Sequence, residues 1–305
     1  MKFIYIIIFS FSSFLLFAQN TPIDSIPFKL EKDNRIYSYL KVNNTDSLYF
    51  LIDTGASDMV ISSRNKSKAK IEINSSTQNK GTTGVNKVGM STNNVVQWGN
   101  QRIDNLNFLS IPYPNEKWDG VLGLSLMRKY TVKIDYDAML IYLYDKKTYQ
   151  NKNPNGLKIK YKHQVPFVDV CIKTIDDKTH NLSLEIDTGS DRIIDISTSY
   201  VNKKKLLDVY KSSFANSTVT SSDGNSGTIF NVYFSKVKIS NFELYKIPGG
   251  VAQIQFGLMN MIDIDGMIGN WFLKRFNLTL DFQNDYLYLE PNNYIYTPFY
   301  EFLTK

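Results

Sequence analysis

The chain has 305 residues, 43% of them hydrophobic and 21% charged, with a formal net charge of +6. That balance supports a sizeable folded core and excludes a disordered chain. The lysines are scattered among acidic and polar residues. The longest basic run, Lys203-Lys204-Lys205, reads as one face of a short helix, so no nucleic-acid-binding patch is expected.

From the N-terminus, Lys2 is followed by an apolar stretch from Phe3 to Phe17, broken by Ser10, Ser12 and Ser13, and Ala18 precedes Gln19-Asn20. This is the shape of a cleavable secretory signal over 1–18. It is short for a membrane span, and no second span follows, so no stable membrane span is expected once the signal is removed. Export is the expectation; the Lys/Asn/Ile-rich composition suggests a bacterial periplasm or the extracellular space. Only 19–25 separate the signal from the first patterned block, so an inhibitory prosegment is not expected.

The high content of aromatic residues, 20 Tyr and 19 Phe, suits pleated, half-buried surfaces and predicts a β-rich chain. The first block opens at Ile26-Pro27-Phe28 and reaches Leu51-Ile52-Asp53-Thr54-Gly55-Ala56-Ser57. It continues through Trp118-Asp119-Gly120-Val121-Leu122-Gly123 and closes on Tyr130–Asp135 and Leu140–Tyr144. A hairpin is predicted across Asp135-Tyr136-Asp137-Ala138, and a short helix after Gly123. Ser62 to Lys80 reads as a polar, loop-rich insertion. The segment 151–156, rich in Asn, Lys, Pro and Gly, reads as a linker between a lobe at 19–150 and a lobe at 157–305.

The second block repeats the same landmarks in the same order: Val165-Pro166-Phe167, Glu185-Ile186-Asp187-Thr188-Gly189-Ser190, Ile264-Asp265-Gly266-Met267-Ile268-Gly269, then Phe276–Asp281 and Tyr286–Leu289. Such ordered recurrence indicates a duplication. Leu182, Leu184 and Ile186 alternate with polar partners as on a half-buried strand. Helical stretches are predicted over Thr198–Tyr210 and after Gly269, a hairpin across Gln283-Asn284-Asp285, and a loop over Ser212 to Gly227. The one cysteine, Cys171, permits no intramolecular disulfide and is expected as a small buried strand residue. His163 and His180 lack metal-ligand spacing, and Asp176-Asp177 and Asp263/Asp265 lack calcium-loop spacing, so no metal and no cofactor is expected.

A strand ending in Asp-Thr-Gly presents a carboxylate at a tight turn. The glycine permits close approach of a neighbour, and the threonine hydroxyl can bond across to a partner turn. One motif per lobe lets two carboxylates face each other. Such a pair cannot readily ionise twice, so it shares a proton and can work as acid and base together. Asp53 and Asp187 are therefore the expected catalytic pair, with Thr54, Gly55, Ala56, Thr188, Gly189 and Ser190 as supports of the catalytic loops.

At these residues the chain resembles the pepsin–retropepsin aspartic peptidases, from about Ile26 to Glu290. The resemblance implies an all-β, bilobal fold with a central cleft that binds an extended peptide. It also implies peptide-bond hydrolysis by a water held between two carboxylates, with no covalent intermediate. Ala56 stands where pepsin-like members place Ser or Thr and resembles the retroviral members, which implies a less acidic pH optimum than pepsin's. The flap expected over the cleft is Gly81-Thr82-Thr83-Gly84, without the tyrosine of pepsin-like flaps. Both aspartates lie in one chain, so a monomer acting on peptide or protein substrates is expected. The competing expectation is a catalytically silent protein- or glycan-binding module on the same fold.

Overall fold

The structure, a computed structural model, describes residues 20–113, 117–151 and 153–299. The expected signal at 1–18 lies outside the described residues, as do residue 152 of the expected linker and residues 300–305. Among the described residues no helix is long and apolar enough to cross a membrane.

The first half of the chain forms β1 (Asp24–Leu30), β2 (Ile36–Val42), β3 (Leu48–Ile52), β4 (Met59–Ser62), β5 (Ser75–Lys80), β6 (Val85–Trp98), β7 (Gln101–Ile111), β8 (Gly120–Leu122), helix α1 (Leu124–Met127), β9 (Thr131–Asp135) and β10 (Leu140–Tyr144). The second half forms β11 (Leu157–Lys158), β12 (Lys160–Lys162), β13 (Val165–Lys173), β14 (Thr179–Asp187), β15 (Ile194–Ile196), α2 (Thr198–Lys204), α3 (Leu206–Val209), β16 (Ala215–Thr220), β17 (Ser226–Ile239), β18 (Phe242–Gln253), β19 (Gly266–Gly269), α4 (Asn270–Leu273), β20 (Phe276–Asp281) and β21 (Tyr286–Pro291). The fold is all-β and two-lobed, as expected.

The duplication is visible in the strand pairing. In the first lobe β3 runs parallel to β8, β8 antiparallel to β4, and β4 parallel to β7. The second lobe repeats this with β14 parallel to β19, β19 antiparallel to β15, and β15 parallel to β18. Each aspartate-bearing strand is thereby laid beside its own apolar-apolar-Gly strand, Ile52 opposite Leu122 and Ile186 opposite Ile268.

Alternation decides which way each strand faces. On β14, Leu182, Leu184 and Ile186 point into the main core, which leaves Ser183, Glu185 and Asp187 on the opposite face. The core includes fully buried Trp98, Phe50, Phe108, Phe167, Phe234, Phe272 and Phe276. The two closing hairpins turn on matched aspartates. Asp135 accepts from the backbone N–H of Asp137 and Ala138, and Asp281 from those of Gln283 and Asn284.

Four features depart from the sequence reading. The C-terminal hairpin β20–β21 pairs with β9, so one sheet runs β11-β21-β20-β9-β10-β1 and joins strands of both halves. The two polar segments read as insertions and loops, 62–80 and 212–227, contain strands β5 and β16, each the first arm of a long projecting hairpin. Lys203 and Lys204 do end helix α2, but Lys205 leaves it in the left-handed region, φ 52°. Cys171 is half-buried rather than buried, on the outward-alternating side of β13.

Candidate active site

The two Asp-Thr-Gly turns meet at the junction of the lobes and are locked by reciprocal hydrogen bonds. The Thr54 N–H donates to Thr188 Oγ1 at 3.1 Å, and the Thr188 N–H donates to Thr54 Oγ1 at 3.0 Å. Each hydroxyl then donates onward across the interface, Thr54 to the Ile186 carbonyl at 2.5 Å and Thr188 to the Ile52 carbonyl at 2.9 Å. Both threonines are fully buried. A buried polar group without a partner is costly, so this closed set of four bonds fixes the two turns relative to each other.

That register brings Asp53 and Asp187 together. Gly55 N–H donates to Asp53 Oδ1 at 2.7 Å, and Gly189 N–H to Asp187 Oδ1 at 2.9 Å. The glycines are crossed. A Cβ on Gly189 would lie 2.2 Å from Cγ of Asp53, and one on Gly55 would lie 2.8 Å from Cγ of Asp187. Each carboxyl occupies the space that a side chain on the opposite turn would fill.

Burial pushes the Asp53 carboxyl up, against the bonds from Asp187, Gly55 and Ala56 and the charge of Arg35. Asp187 is pushed further, first by burial and then by the charges of Asp53 and Glu185. These are the electrostatics of a pair that holds one proton between two carboxyls.

The support elements sit where the duplication places them. Leu124 and Ser125 donate backbone N–H to the Ala56 and Ser57 carbonyls, and Asn270 donates to the Ser190 carbonyl at 2.8 Å. Gly123 and Gly269 are required by close approach, since a Cβ would lie 2.0 Å from the Asp58 carbonyl and 2.3 Å from that of Arg192. The Ser190 hydroxyl accepts from the Arg192 N–H at 3.2 Å. Arg192 in turn grips fully buried Asp195 through Nε at 2.8 Å and Nη2 at 3.0 Å, bracing the second turn from behind.

Gly81, Thr82, Thr83 and Gly84 form the tip of the β5–β6 hairpin, closed by the Gly81 N–H to Gly84 carbonyl bond. Sequence reasoning missed what they touch. The β16–β17 hairpin of the second lobe is a second such arm, and its tip, Ser221 to Asn225, meets the first. Thr82 N–H donates to Ser221 Oγ at 2.7 Å. Thr83 Oγ1 donates to Asp223 at 3.1 Å and to the Asn225 carbonyl at 3.0 Å. Leu258 and Met259 add backbone N–H bonds to the Gly81 and Thr82 carbonyls. At Gly257, φ 83°, a Cβ would strike the Gly84 nitrogen at 2.3 Å.

Glu185 was also missed as a site residue. It lies two residues before Asp187 on the same face of β14, 7% exposed, with Oε1 3.0 Å from where a Gly55 Cβ would be. Burial and the Asp53 charge push it up to about 8. The alternation of β14 carried the signal.

Residues 39–126 match the protein family described as aspartyl protease. The match runs from β2 through most of α1, and takes in Asp53, the Gly81–Gly84 tip and Gly123. Over these residues the chain is similar to aspartyl proteases, which supports a protease function in general terms. No curated protein matches the chain.

Proposed function

We propose that the chain is an exported aspartic endopeptidase, monomeric, that cleaves peptide bonds with Asp53 and Asp187 as its catalytic pair. The observation that carries this reading is the crossed pair of Asp-Thr-Gly turns, with both carboxyls buried and both pushed upward.

Asp187, which faces the charges of both Asp53 and Glu185, holds the shared proton; Asp53 is the base. A water between them loses a proton to Asp53 while its oxygen attacks the substrate carbonyl carbon. Asp187 donates its proton to the carbonyl oxygen. The tetrahedral diol then collapses. The C–N bond breaks, the amine nitrogen takes the proton from Asp53, and a diol hydroxyl returns one to Asp187. No covalent adduct with the protein forms. The joined hairpin tips act as the cover that excludes water and opens to admit the peptide.

The hydrogen-bonded closure of those tips also favours a second reading, a catalytically silent binding module whose cleft is held shut. Hydrolysis of a peptide library by the purified chain, beside Asp53→Asn and Asp187→Asn, separates them. Cleavage lost in both variants supports the peptidase; a folded chain that cleaves nothing supports the binding module.

A further inference from the structure

Glu185 is a buried carboxylate for which none of the described residues supplies a counter-charge. Among the described residues none donates a hydrogen bond to it or pairs with it, and its named electrostatic neighbours, Asp53 and Asp187, are themselves acidic. The cations beside the two turns are engaged elsewhere. Arg35 binds Asp33 through Nε at 2.9 Å, and Arg192 binds Asp195. Structure alone does not require an acid here. At the duplicated position in the first lobe stands Leu51, paired with Val121 as Glu185 is paired with Met267. Leu51 lies in a small apolar cluster with Tyr37, Val60, Val88 and Trp118. Beside the dyad, one lobe thus presents an apolar surface and the other an unpaired carboxyl.

We propose that Glu185 determines specificity: its carboxylate receives a lysine or arginine side chain of the substrate on one side of the cleaved bond, while the Leu51 side takes an apolar residue. This rests on the peptidase reading above. Leaving a buried ionised carboxylate unpaired is expensive, so without substrate Glu185 holds a proton. An arriving ammonium or guanidinium group supplies the missing partner, and the proton leaves to solvent as the ion pair forms. Asp53 and Asp187 are the charged groups that act on it. The preference for basic side chains therefore rises with pH from about 5 to about 8, as the proton becomes easier to remove.

The test uses peptides that differ only in carrying lysine or norleucine beside the cleaved bond. Wild-type kcat/KM favours the lysine peptide by roughly tenfold or more, and in Glu185→Gln and Glu185→Leu that ratio falls to near one. A ratio unchanged in the variants overturns the proposal, even if their pH profiles move. The same pair with a reduced, uncleavable bond is titrated into Asp53→Asn with and without Glu185→Gln. Lysine-selective binding that requires Glu185 supports the proposal even if no peptide is hydrolysed; equal binding, or none, overturns it. If the Glu185 variants do not fold, the wild-type ratio decides: a rise with pH supports the proposal, and a flat or falling ratio contradicts it.

Discussion

Thr54 and Thr188 each donate a backbone N–H to the other's side-chain oxygen, at 3.1 and 3.0 Å, across the junction of the two lobes. Neither turn can shift without breaking bonds of the other, so the dyad geometry and the docking of the lobes are one structural fact. Replacing either threonine by valine keeps the shape but strands a buried N–H and a buried carbonyl. Thr188→Val is expected to cost about 1–3 kcal/mol for each group left unpaired, read as a lower thermal midpoint, with hydrolysis reduced. Thr188→Ser, which keeps the hydroxyl, retains most of both.

The crossed glycines give a sharper separation of activity from folding. In Gly189→Ala the new methyl falls on the Asp53 carboxyl, 2.2 Å from its Cγ in the present arrangement. The carboxyl has to move, and a displacement of order 1 Å costs about a hundredfold in rate. Circular dichroism of the variant should remain that of a folded β protein. Full activity in Gly189→Ala would show that the carboxyl tolerates displacement.

The pH behaviour follows from the direction of the shifts. Folded Asp187 and Glu185 keep protons that the unfolded chain has already released, so both favour the folded state at low pH. Their contribution is lost as pH rises from the ordinary carboxylate range through the raised values, about 8 for Glu185. Thermal midpoints should fall between about pH 5 and about pH 8, and fall less steeply in Glu185→Gln. The same shifts move the activity window upward. A maximum below about pH 3 would contradict them, and Glu185→Gln should draw the basic limb to lower pH.

The hairpin bridge behaves oppositely. Burial raises Asp223, but the bonds from Asn225, Ser221 and Thr83 outweigh it, and its carboxyl lies below the ordinary range. Its stabilisation is present above the ordinary carboxylate value and is lost as pH falls through the lowered one. Asp223→Ala should accelerate amide exchange at Thr83 by roughly tenfold at neutral pH, with the core strands unaffected.

The sequence shows some of this and hides the rest for identifiable reasons. Asp-Thr-Gly is legible because close approach needs glycine and the cross-bonds need threonine, and the closing hairpins are legible from the turn-forming Asp135 and Asp281. The β5 and β16 arms project from the body and are mostly exposed on both faces, so they carry no apolar alternation and read as loops. The joining of β20 to β9 is a choice of partner, which an apolar pattern does not encode. Glu185 was visible only as one residue of a strand; its weight comes from the first lobe's turn, brought against it by the threonine bonds.

Hydrolysis of a mixed peptide library from about pH 3 to about pH 8, by the wild-type chain beside Asp53→Asn and Asp187→Asn, tests the central claim most directly. The account predicts cleavage by the wild type that both variants lose while remaining folded. Cleavage that persists in either variant, or a folded wild type that cleaves nothing at any pH, would contradict it.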